Sequence, residues 1–102
     1  MKEKSLQIIN HYGIENQQRK LSEEVFELQK AITEYEYELD GCNYTAITDM
    51  LFEHIEEEFA DVLVILRQFY EHYELDFKKE LKIMEQKVDR QLERIKDDRT
   101  NR

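Results

Sequence analysis

No proline occurs anywhere in the 102 residues, and glycine occurs only at Gly13 and Gly41. A chain so poor in the two residues that break helices has little to stop a helix once it has started. The expected fold class is therefore all-α. Hydrophobic residues make up 40% and charged ones 38% of the chain, which suits one small domain with a heavily charged surface.

The spacing predicts four helices. The first runs from about Lys4 to Tyr12 and stops at Gly13. The second opens near Asn16 as an N-cap and continues to about Leu39, before the turn "DGCN". Its apolar positions Leu21, Val25, Leu28, Ile32, Tyr35 and Leu39 form one stripe. The third, from about Thr45 to Tyr73, carries Leu51, Ile55, Phe59, Val62, Leu66, Phe69 and Tyr73, widened by Met50, Phe52, Leu63 and Tyr70. So wide a stripe calls for more than one neighbour, another subunit among them. The fourth opens near Asp76 and carries Phe77, Leu81, Met84, Val88, Leu92 and Ile95 at steps of three and four. A single helical domain over residues 1–96, with a frayed charged tail at 97–102, is the expected organisation.

Charge is distributed unevenly. Residues 1–77 hold 18 acidic and 6 basic side chains, whereas residues 78–102 hold 6 acidic and 9 basic ones. The acidic body excludes a nucleic-acid polymer as partner, since phosphates are repelled unless cations intervene. There is no apolar run long enough for a signal peptide or a membrane span. The lone Cys42 cannot close an internal disulfide and receives no role; a cytoplasmic location is expected.

Two acidic pairs border the apolar stripes. Glu24 and Glu27 on the second helix, and Glu58 and Asp61 on the third, are each spaced i, i+3. Each pair thus stands one turn apart on one side of its helix. The two helices are joined by a short turn and should pack antiparallel, with their acidic edges facing each other. Carboxylates converging at a half-buried place repel one another and call for a cation. With oxygen ligands only, the cation that fits is Mg²⁺, with Mn²⁺ as a substitute. Acidic residues are so common here that either pair alone reads better as a solvated face, as "EYEYELD" does at residues 34–40, and only the two pairs together favour a metal. No Glu-x-x-His pair supports a di-iron site, no Cys/His cluster supports zinc, and no glycine-rich phosphate loop or nucleophile elbow occurs.

With its ordered context, "QQRKLSEEVFEL" followed by "EEEFADVLVIL" resembles the MazG-like family of the all-α nucleoside triphosphate pyrophosphatases. The likeness runs from about Gly13 through Arg94, with Glu23-Glu24-Val-Phe-Glu27 matching one family motif and Glu58-Phe-Ala-Asp61 the other. The resemblance implies a four-helix bundle completed by oligomerisation, as a homodimer or homotetramer. It also implies Mg²⁺-dependent hydrolysis of a nucleoside triphosphate between its α- and β-phosphates, giving the monophosphate and pyrophosphate. Glu24, Glu27, Glu58 and Asp61 match the metal ligands, and Glu23 and Glu57 the acidic neighbours that support the site or orient water. Lys20 matches a lysine suited to a phosphate or to fixing a carboxylate, Lys87 a phosphate-binding lysine on the last helix, and Gln17 a glutamine near the nucleobase.

Two features depart from the family pattern. The 30 residues between Glu27 and Glu58 make a long gap, and Gln91 stands where a basic residue is often found, leaving Arg90 or Arg94 to compensate. Lys87, Arg90 and Arg94 share one helical face, although Glu85, Asp89 and Glu93 are also spaced to pair with them at the surface. Tyr12, Phe26, Phe52 and Tyr44 are candidates to stack on a base, or else core or loop residues. His54, one turn before Glu58, can touch a phosphate or simply face solvent. The alternative function is a catalytically silent helical oligomer that binds a protein partner or senses nucleotide.

Overall fold

Gly13 divides the first two helices because its backbone (φ 88°, ψ 154°) lies where only glycine goes without strain. In the computed structural model, which describes residues 1–41 and 46–100, α1 is Lys2–Tyr12, α2 Ile14–Asp40, α3 Ala46–His72 and α4 Phe77–Thr100. All four expected helices are present, and there is no strand among the described residues. The expected turn and loop residues Cys42, Asn43, Tyr44 and Thr45, and the last two residues of the tail, lie outside those described. Residues 97–100 continue α4.

The helix ends follow local chemistry. Helix α2 starts at Ile14, earlier than expected, and Asn16 does not cap it: its Nδ2 donates to the Tyr12 carbonyl at 2.7 Å. Asp76 does cap α4, its Oδ1 accepting from the Lys78 and Lys79 amides at 3.0 and 3.5 Å. Helix α3 ends in a Schellman motif, with Glu74 N–H donating to the Glu71 carbonyl and Leu75 N–H to that of Tyr70. Glu74 occupies the left-handed position of this motif, φ 52°. Substitution Glu74→Gly is expected to stabilise the protein by on the order of 0.5–1 kcal/mol, read from the urea midpoint. An unchanged or lower midpoint would show that Glu74 is not strained.

Helices α2 and α3 pack side by side in opposite directions, and α1 lies mainly against α3. The core is small: Ile9, Ala31, Val62 and Ile65 are its buried apolar residues. Among the described residues, α4 does not run alongside any other helix, and only Phe77 at its start shares a groove with Leu63, Leu66 and Tyr70 of α3. The radius of gyration is accordingly 18.0 Å, against about 13 Å for a compact domain of this length. Its stripe from Phe77 to Ile95 is 43–66% exposed at Phe77, Leu81, Met84, Val88, Leu92 and Ile95. Within one chain the four helices therefore form a three-helix layer and a projecting arm, and no closed four-helix bundle.

Candidate metal centre

The antiparallel register of α2 and α3 brings Glu24 beside Glu58 and Asp61. One carboxylate oxygen of each lies within 4.8 Å of the others. Glu24 and Glu58 are half-buried because they flank the apolar stripes, whereas Asp61 is exposed. Two such charges repel by about 3–4 kcal/mol at an effective dielectric near 20, before solvent screening.

Each half-buried carboxylate has one cationic or hydrogen-bonding neighbour on its own helix. Lys20 Nζ is 3.2 Å from Glu24 Oε1. That hydrogen bond and its charge attraction raise the Lys20 pKa, assisted by Glu23 and Asp61, so the ammonium persists to higher pH than usual. His54 Nε2 lies 3.1 Å from Glu58 Oε1. Glu58 Oε2 is buried with no hydrogen-bond partner, alone in this among the described residues. A buried carboxylate oxygen without a donor is costly, and a cation among the three acids would satisfy it. The donor set is entirely oxygen, which fits a hard divalent ion such as Mg²⁺ or Mn²⁺.

Glu24 and Asp61 open onto a cleft of about 710 Å³ between α1, α2 and α3. Helix α2 lines it with Asn16, Gln17, Arg19, Lys20 and Glu23; α1 contributes Ile8 and Tyr12; α3 contributes Val64, Ile65 and Gln68. This size suits a small organic ligand.

The other sequence candidates fall in different places. Glu27 is exposed and outside the acidic group, since one turn carries it further round α2 toward solvent. Glu57 is exposed and lies outside the group as well. Lys87, Arg90 and Arg94 lie exposed on α4, which runs alongside neither α2 nor α3 in the same chain. Of the stacking candidates, Tyr12 lines the cleft, while Phe52 packs at 5.8 Å against Tyr35 and Phe26 is exposed. Tyr44 lies outside the described residues.

Gln17 is buried, and its Nε2 donates to Oε1 of Gln68 at 2.6 Å. Gln68 escaped the sequence reading, though a signal existed. It is a polar residue within an apolar helix, seven residues after Asp61, just as Gln17 is seven before Glu24. Comparison with known protein families, curated proteins and solved structures gives no match.

Proposed function

We propose that this protein is a Mg²⁺-dependent nucleoside triphosphate pyrophosphohydrolase of the MazG-like type. One observation carries the reading: three carboxylates from two helices meet within 4.8 Å beside a buried, unpartnered Glu58 oxygen, two of them lining a cleft large enough for a nucleotide. Glu24, Glu58 and Asp61 would hold the metal. When bound, such an ion polarises a phosphoryl oxygen and acidifies water.

The chain's own groups do the rest. Lys20, paired with Glu24, lines the cleft and can pair with a phosphate oxygen. Water adds to the α-phosphorus, the bond to the α–β bridging oxygen breaks, and pyrophosphate leaves. Glu23, exposed in the cleft wall beside Glu24, would orient that water and take its proton.

The test is to incubate the purified protein with common and modified nucleoside triphosphates and Mg²⁺ or Mn²⁺. Pyrophosphate and monophosphate are expected from at least one of them, and chelation of the metal should stop the release. If every nucleotide stays intact with either metal, the enzymatic reading fails. The exposed stripe of α4 favours a second reading, a silent helical oligomer. Calorimetry separates the two, since a pure interaction module binds no nucleotide in a Mg²⁺-dependent way.

A further inference from the structure

The chain itself supplies a cation to the acidic group. Lys20 Nζ sits 3.2 Å from Glu24 Oε1, and the charges of Glu23 and Asp61 add to the attraction. Its compensation is incomplete. Three carboxylates meet within 4.8 Å, and one ammonium offsets only one of their charges. Glu58 Oε2 stays buried with no donor, although His54 Nε2 lies 3.1 Å from Oε1 of the same carboxylate. A divalent ion offsets two charges and takes oxygens from several carboxylates at once. It does at Glu24 what Lys20 does, and more.

The geometry lets Lys20 leave. Its side chain is 53% exposed, against 14% for Glu24, so moving it uncovers no core. The pair is spaced i, i+4 with the base first, the weaker order on a helix, and a partly exposed pair of this kind is worth little. Lys20 also lines the cleft together with Glu23, Glu24 and Asp61. Its flexible four-carbon stem can swing a compact charge from the carboxylate to another acceptor in that cleft. A dication and an ammonium that share one carboxylate repel each other, and an anion beside them receives the displaced ammonium.

Resting on the metal site of the proposed hydrolase, we infer that Lys20 is a mobile counter-cation, which holds Glu24 until a divalent ion arrives and then moves to the polyphosphate. A free ion has to displace Lys20 with nothing to receive the ammonium, and so binds weakly. Ion and polyphosphate together exchange one ion pair for another, so the cleft loads them as a unit. Lys20 thereby couples occupation of the acidic group to occupation of the cleft.

The experiment is calorimetry on the whole protein with two probes, Mg²⁺ alone and Mg²⁺ with inorganic tripolyphosphate. Substitution Lys20→Met keeps the apolar stem and removes the charge. It should bind Mg²⁺ alone about tenfold more tightly than the wild type, and the Mg²⁺–tripolyphosphate complex about tenfold more weakly. A lysine that merely fixes Glu24 gives the opposite sign for Mg²⁺ alone, so equal or weaker Mg²⁺ binding by Lys20→Met overturns the inference. Wild-type crystals soaked with Mn²⁺ and tripolyphosphate supply the second readout: Nζ should lie on a phosphate oxygen and away from Glu24. Nζ still on Glu24 overturns the inference even where the affinities move, since lost charge alone then explains them. If Lys20→Met does not fold, the crystal alone decides. A wild type that binds neither Mg²⁺ nor Mn²⁺ removes the inference and the hydrolase reading together. Exchange of Lys20 with the ion, without pyrophosphate release from any nucleotide, upholds the inference and removes the hydrolase reading alone.

Discussion

Substitution Asp61→Ala should lower pyrophosphate release by at least about 10²-fold, the scale lost when one preorganised charge-stabilising group is removed. Helical content should stay unchanged, because Asp61 is exposed and packs no core. Its neighbour makes the sharper test. Glu58 is half-buried, with one oxygen on His54 and the other orphaned. Substitution Glu58→Gln keeps the shape, removes a charge from the cluster and gives Glu24 and Asp61 an amide donor. The metal-free variant should therefore be more stable than the wild type by on the order of 1 kcal/mol, and catalytically dead. Mg²⁺ at about 100 times its dissociation constant stabilises a folded protein by about 2.7 kcal/mol, on the order of 10 °C in Tm for a domain of this size. The wild type should show that increment, and both variants should lose most of it. Higher metal-free stability together with lost activity is the signature of a site strained for function. Unfolding of both variants, or a wild-type Tm indifferent to Mg²⁺, would assign these acids to structure instead.

What could be read from the sequence divides along physical lines. Helix positions followed from the missing prolines, from Gly13 and from the apolar period, all of which act locally. The antiparallel approach of Glu24 to Glu58 and Asp61 was also legible, because a short connection and two facing stripes leave few alternatives. Glu27 lies further out than Glu24 on the same side: an i, i+3 step moves a residue about 60° round the helix, enough to turn one carboxylate outward while its neighbour stays in the group. Helix α2 begins at Ile14 because Gly13 serves two helices at once, which frees Asn16 to bond Tyr12. Gln68 was hidden because burial of a polar residue depends on its partner across the interface, and that partner is 51 positions away. The apolar period of α4 foretold a helix and could not say against what it packs.

That question leads to the largest structural effect we expect. The exposed stripe of α4 presents six apolar side chains on a helix that runs alongside no other helix of its chain among the described residues. An amphipathic helix of 24 residues is marginal in water by itself, and burying its stripe would be worth several kcal/mol. The segment from residue 78 onward is net positive, whereas the body is strongly negative, so a second copy of the body complements α4 in both polarity and charge. We expect a dimer or tetramer at micromolar concentration by sedimentation. The double substitution Val88→Asp with Leu92→Asp should yield a monomer whose far-UV spectrum has lost helix from α4. Docking on the partner's acidic face also offers Lys87, Arg90 and Arg94 a route to a phosphate that their own chain does not provide. Arg90→Ala should then raise KM while leaving the oligomer intact. Mixing Arg90→Ala with Asp61→Ala chains should restore part of the activity, since mixed oligomers contain one site with both groups intact. A monomeric wild type would remove the shared site altogether, and an oligomer without such complementation would confine the basic residues to surface ion pairs with Glu85, Asp89 and Glu93.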